Sequence, residues 1–211
     1  LDAIKESMLI GERAGVPVPR TFDEAAQRVR EALTRAVRRR LDGDPPIGLS
    51  LSSGVDSTIV AGLLAADQRE RGRVGHAFSL GYDGAEYDES ASAARTAAHC
   101  GLEFHRVKCS INELAEGLLE GVYSVEVATN SLSTTARIGL TRAVRAAGFK
   151  ALMSGEGSDE LFGGYPYFGV EAAWRLLEGA PREREEGARA WRVFREAESR
   201  SRGMFWDEGD D

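Results

Sequence analysis

Four short strand-like runs alternate with stretches of helical periodicity, and this alternation restricts the fold more than any other feature of the chain. Residues 46–51, 74–80, 103–108 and 150–154 read as strands. Residues 55–71, 86–100, 111–123 and 134–147 carry helical spacing, with a polar loop at 126–133. A helix between successive strands turns the chain back to start the next strand in the same direction. Right-handed crossovers then put helices on both faces of the sheet. The expectation is an α/β fold with a doubly wound, mostly parallel sheet. Ligands in such sheets sit beyond the C-terminal strand ends.

A further helix precedes the first strand. Thr21-Phe22-Asp23-Glu24 reads as a capping box, and Val29, Leu33, Val37 and Leu41 continue at helical spacing. Arg38, Arg39 and Arg40 close it, where cations suit the helix dipole. After Gly169 the spacing of Ala172, Ala173, Leu176, Leu177, Trp191 and Phe194 predicts C-terminal helices, with Trp174, Trp191, Phe194 and Trp206 in packing contacts. The expected organisation is a lead-in over 1–20, a main domain over 21–168 and a helical extension over 169–211 that ends in an acidic run.

At 211 residues the chain suits one main domain. Its 27 basic and 34 acidic side chains give a net charge of −7, which argues against nucleic-acid binding through a general basic surface. No apolar run is long enough for a membrane span, and no signal peptide is visible, so no membrane partner is expected. Cys100 and Cys109 are too few for a disulfide framework, which makes a reducing, cytoplasmic setting the expectation. His76, His99 and His105 lack metal-ligand spacing with the cysteines and read as structural.

Two segments carry chemistry. Ser52-Ser53-Gly54-Val55-Asp56-Ser57 leaves a strand and opens a helix, where free N–H groups and the helix dipole favour an anion. The Ser52 and Ser57 hydroxyls can donate to phosphate oxygens. A carboxylate in such a cradle repels phosphate unless a cation bridges them, so Asp56 points to Mg²⁺. The segment is not a GxxxxGK[ST] loop, because no lysine follows the glycine. Read as local structure alone, it is a turn in which Asp56 and Ser57 cap the helix. The second segment, Ser154-Gly155-Glu156-Gly157-Ser158-Asp159-Glu160-Leu161-Phe162-Gly163-Gly164-Tyr165, gathers three carboxylates between glycines. It reads either as a magnesium-binding loop or as an acidic surface loop.

The hexapeptide at 52–57 resembles the pyrophosphate loop of the ATP pyrophosphatases, with Ser53 where glycine is commonest. The segment 154–165 resembles the signature of the synthetase domain of glutamine-hydrolysing asparagine synthetases, whose relatives include β-lactam synthetases and lasso peptide cyclases. The stretches His76–Gly81, Tyr87-Asp88-Glu89 through His99, and Gly101 to His105 are similar to the same family in the same order, so the resemblance covers 22–168. It implies an adenine nucleotide alpha-hydrolase-like fold and an ATP-dependent ligase. A carboxylate substrate would be activated as an acyl-adenylate with loss of pyrophosphate, then transferred to an amine or ammonia. Carried over by position, Leu51 and Leu80 would flank adenine. Ser52, Ser53, Gly54, Asp56 and Ser57 would hold pyrophosphate, and Ser154 and Gly155 would touch the nucleotide. Asp56 and Asp159 would bind Mg²⁺, Glu156 would support adenylate formation, and Glu126 would approach the substrate.

Two departures from the family qualify this. Leu1 stands first, with no N-terminal cysteine of a glutaminase before the loop, so ammonia from the chain's own glutamine hydrolysis is not expected. No lysine follows Lys150, whereas the family uses one beyond its GGY motif. A protein partner or a further segment is therefore expected to complete the domain. The alternatives are a lactam- or macrolactam-forming relative and a nucleotide-binding subunit without turnover.

Overall fold

The computed structural model describes residues 17–43, 46–82, 88–126, 132–165 and 168–170, together with 174, 185, 188, 189, 191 and 192. The chain divides into two compact units, Leu1–Ser154 and Gly155–Asp211. In chain order the first contains α1 (Phe22–Leu41), β1 (Ile47–Ser50), α2 (Val55–Glu70), β2 (His76–Tyr82), α3 (Ser90–Cys100), β3 (Glu103–Cys109), α4 (Ile111–Glu116), α5 (Leu118–Val125), α6 (Ser133–Ala146) and β4 (Ala151–Met153). The second opens with α7 (Ser158–Phe162).

The four strands form one sheet in the order β3-β2-β1-β4, with every neighbouring pair parallel. The chain winds outward from β1 through β2 to β3, then returns across the sheet to lay β4 on the other side of β1. Strand order therefore reverses between β1 and β4.

Side-chain alternation sorts the strands between two layers. Leu49 and Leu51 join Ala77 on one face, under Val37 and Leu41 of α1, Ala61 and Leu64 of α2, and Ala93 and Ala97 of α3. Phe78 points to the other face and packs with Leu140 and Val144 of α6, beside Leu80, Val107, Phe149 and Leu152. Helices thus cover both faces, as the doubly wound reading expects. Gly48 makes room for the Phe78 ring, since a Cβ there would stand 2.8 Å from Phe78 Cε2.

Element boundaries moved where local chemistry overrode periodicity. The helix expected over 111–123 is two helices, α4 and α5, meeting at Gly117. There a Cβ would stand 2.5 Å from the Thr135 methyl on α6. The acidic segment at 158–162, read as loop, makes one helical turn and a half. The expected strand 74–80 lies two residues later, at His76–Tyr82. The expected helix 86–100 begins at Ser90. At Thr21 the side chain caps α1 through the Glu24 N–H, while the Glu24 carboxylate takes the Arg20 N–H instead of closing the box.

Ion pairs fix α1 against α2. Arg71, at the end of α2, links the buried Asp67 of its own helix, at 2.8 Å, to Asp42 at the end of α1, also at 2.8 Å. Arg38, the first of the three closing arginines, shares one guanidinium nitrogen between both Glu70 oxygens, at 2.7 and 2.9 Å, an exposed contact that contributes little by itself.

A second polar cluster fixes the start of α3. Asp88 accepts the Ser90 N–H at 2.9 Å and Arg106 at 2.8 Å, while Arg106 Nε donates to Ser90 Oγ at 2.8 Å. The Ser90 backbone and hydroxyl, then the Arg106 guanidinium, hold the Asp88 carboxyl down at about 2. The neighbouring residue Glu89 is thereby set at the top of β2.

Three outcomes are expected. Gly48→Ala, pressed onto the buried Phe78 ring, costs about 1–3 kcal/mol. Gly62→Ala, on α2 with nothing within 4 Å of its added Cβ, gains up to about 1 kcal/mol; urea unfolding of both variants measures the opposite signs. The Asp88 contribution is fully present above its unfolded pKa of 3.8 and is lost as pH falls through about 2. The melting-temperature gap between wild type and Asp88→Asn should accordingly be widest at pH 5 and close toward pH 2.

Candidate nucleotide site at the strand-order reversal

Open α/β sheets hold their ligands beyond the C-terminal strand ends where strand order reverses, which here is the space beyond β1 and β4. Both sequence motifs begin at those ends. The serine loop leaves β1 directly, and Ser154 follows β4.

The loop is braced from within. Ser57 Oγ lies 3.0 Å from Ser52 Oγ, accepts the Ser52 N–H at 3.2 Å, and reaches the Gly54 carbonyl at 3.2 Å. Ser52 Oγ also accepts the Gly54 N–H at 3.1 Å. Ser57 is 6% exposed, so its hydroxyl works chiefly as the internal brace, while Ser52, Ser53 and Gly54 lie at the surface.

Asp56 and Ser57 do not cap α2, contrary to the purely local reading of this segment. The N-cap is Gly54, in extended backbone and without a side-chain hydrogen bond. The leading N–H groups of α2 therefore have no side-chain acceptor, which is the condition for anion binding at a helix start. Asp56 sits half-buried in the first turn, its carboxylate without a hydrogen bond or ion pair among the described residues.

Sequence reasoning missed Glu89. Its carboxylate accepts the Ser53 N–H at 3.2 Å, so an anionic oxygen already engages a loop amide. The signal was the acidic pair 88–89 just before a helix. Its meaning depended on Arg106, eighteen positions away, anchoring Asp88.

Other candidate residues fall as follows. Leu51 is 2% exposed, with its side chain in the core beneath α1 to α3. Leu80 lies on the opposite face, beside Phe78 and near Cys109. Glu126 ends α5 with φ +57°, unique among the described non-glycine residues for a positive φ. Such a conformation costs a side-chain-bearing residue about 1–2 kcal/mol.

The second unit sorts the carboxylates of the signature. Tyr165 Oη donates to Glu160 at 2.6 Å and lowers the Glu160 pKa. Gly163, at φ +69°, turns the chain so that Gly164 lies against Asp159; a Cβ on Gly164 would overlap Asp159 Oδ1. The paired glycines therefore cradle the Asp159 carboxylate, and the tyrosine ties back Glu160. Glu156 stands just before the left-handed Gly157 that starts α7. Farther on, Trp174 and Trp191 meet edge to face with centroids 6.1 Å apart, as the packing expectation for the extension has it. Phe194 and Trp206 lie outside the described residues, as do the acidic end and most of the lead-in.

Known proteins place this arrangement. The amidase chry2 of Gibberella zeae is 38% identical over 164 residues, covering 72% of this chain and 24% of that protein. The amidase chyE of Penicillium rubens is 37% identical over 160 residues, with 71% and 24% covered. Asparagine synthetase B [glutamine-hydrolyzing] of Escherichia coli is 31% identical over 152 residues, with 66% and 27% covered. The chain thus spans about a quarter of the length of the curated relatives it matches. Among solved structures, the NH3-dependent NAD synthetase of Campylobacter jejuni is 18% identical, with 66% of this chain and 60% of that one covered and a TM-score of 0.46. The profile of the asparagine synthase family matches residues 28–208, more than four-fifths of the sequence, and the chain belongs to that family.

Proposed function

We propose that this chain supplies the ATP-binding part of an amide-forming synthetase, which activates a carboxylate as its acyl-adenylate and passes it to an amine or ammonia. One observation carries the reading: the serine loop leaves β1 at the strand-order reversal and opens α2 without a side-chain cap. Phosphate oxygens of ATP suit those N–H groups, and the Ser53 N–H already donates to an anionic oxygen, that of Glu89. Ser52, Ser53, Gly54 and the leading amides of α2 would hold the pyrophosphate, with Ser57 keeping the loop in shape. Leu51 would meet adenine through its main chain, because its side chain is buried. Leu80, Ser154 and Gly155 would complete the nucleotide contacts.

Asp56 and Asp159 would bind Mg²⁺: Asp56 offers, within the first unit, a carboxylate without a partner among the described residues beside the phosphate cradle, and Asp159, within the second, is held in place by Gly164. When bound, the ion would neutralise charge on the phosphates. Glu156 would support attack by the substrate carboxylate on the α-phosphate, and Glu126 would border the substrate. The names of the relatives, amidase and asparagine synthetase, both denote chemistry at a carbonyl–nitrogen bond. Cytoplasm is the proposed compartment: Cys100 and Cys109 are free thiols, and no helix among the described residues is long and apolar enough to cross a membrane. A second reading is a nucleotide-binding subunit that a partner completes with a cation for transition-state charge; among the described residues after Lys150 no lysine offers one.

Asp56→Asn is expected to weaken MgATP binding about tenfold to a hundredfold, the scale of a lost charged contact, while the melting temperature without nucleotide stays near wild type. Calorimetric titration measures it, and an unchanged affinity with Mg²⁺ present would sink the assignment. The two readings separate in a pyrophosphate-exchange assay. Exchange that depends on an added carboxylate identifies an adenylating enzyme. ATP binding without exchange, converted to exchange by a partner, identifies the subunit.

A further inference from the structure

The opposite edge of the sheet carries a cluster that the nucleotide chemistry does not use. His76 begins β2 and pairs in register with Glu103, which begins β3; Phe78 pairs with His105. Side chains two apart on a strand share a face, so both histidines and the glutamate project from one face. His76 Nδ1 lies 3.0 Å from His105 Nε2. The Glu103 carboxylate straddles them, with one oxygen 3.7 Å from His76 Nδ1 and the other 3.6 Å from His105 Nε2.

We infer that His76, Glu103 and His105 form a binding site for a zinc-class divalent cation. Tetrahedral bonds of about 2.0–2.1 Å set donor atoms roughly 3.3–3.4 Å apart; the ring nitrogens stand slightly closer than that and each faces a different Glu103 oxygen slightly farther away, so a small parting of the rings and a turn of the carboxylate that aims one oxygen at both would seat the ion. Two imidazoles and one carboxylate form a borderline-soft donor set, which favours Zn²⁺ and its late first-row neighbours over Mg²⁺ or Ca²⁺. Three protein ligands leave a fourth position for water.

The rings are held before any ion arrives. His105 lies parallel to Phe78 at 4.5 Å and 13°, and His76 meets Phe149 at 4.9 Å. Phe78 is itself buried in the core, so the His105 ring rests on a fixed surface. The donors remain reachable, since the His76, His105 and Glu103 side chains are 27%, 30% and 58% exposed. A cleft of about 200 Å³ opens beside His76 and is lined also by Gln68, Arg73, Gly75 and Phe149. All of this lies at the N-terminal strand ends, away from the serine loop. The rival explanation of the 3.0 Å contact is a proton shared between two imidazoles, with no affinity for metal.

Equilibrium dialysis of the full chain against Zn²⁺ decides between them. One equivalent should be retained in the presence of excess Mg²⁺, and substituting Co²⁺ should give the intense visible bands of a tetrahedral site. His105→Ala and His76→Ala should abolish retention, and His99→Ala, on α3, should leave it intact. Glu103→Gln changes an exposed side chain without threatening the fold. It should weaken binding at least about tenfold, since even an outer-shell partner of a metal ligand is commonly worth 10–100-fold. No stoichiometric Zn²⁺, or the same affinity in wild type and Glu103→Gln, would overturn the site and leave the shared proton. A null result here would not affect the ATP titration, which reads the other end of the strands.

Discussion

Strand β1 is only four residues long, yet it is hydrogen-bonded on both sides, to β2 through Leu49 and Ser50 and to β4 through Ile47, Gly48 and Leu49. The rest of the molecule hangs on this double pairing. It sets the point where strand order reverses, and it aims the serine loop and Ser154 from adjacent strand ends. Leu49 is fully buried and Leu51 nearly so. The last strand residues are thus locked into the core immediately before the chain becomes the exposed serine loop. The Leu51 N–H continues the ladder by donating to the Phe78 carbonyl at 2.9 Å. Rigidity of the scaffold and precision of the loop come from the same bonds.

Electrostatics then shape the loop. A helix start without a side-chain cap is a standing attraction for negative charge. Glu89 answers part of it through Ser53, and Asp56 adds a second carboxylate close by. On the proposed function these acids would repel an incoming polyphosphate unless a divalent cation lay between them. Asp88 resolves its own charge differently, by accepting donors from Ser90 and Arg106. Of two adjacent acids, one anchors a helix and the other faces the loop.

The sheet was legible because each strand run was short and the first three were followed by helical spacing. The parallel direction and the two-sided helix cover follow from that pattern. The serine loop was legible from its place between a strand and a helix, and the family from its motifs. What stayed hidden depended on partners far apart in sequence. The break at Gly117 reflects the close approach of Thr135, which no local pattern announces. The engagement of Glu89 depends on Arg106 across the sheet. His76, Glu103 and His105 escaped because the histidines were weighed against cysteines. The missing ligand was a glutamate two residues before His105, brought opposite His76 only by strand register.

The β1–β4 ladder also has a consequence in time. Ile47 pairs with Ala151, so that ladder closes a loop of about a hundred residues, whereas β1, β2 and β3 meet through much shorter crossovers. During synthesis the first three strands and their helices can assemble while the rest is still emerging. The space beyond β1 and β4 comes into being only when β4 arrives. A ribosome that stalls before residue 151 would therefore carry a nascent sheet with a finished loop and no second wall.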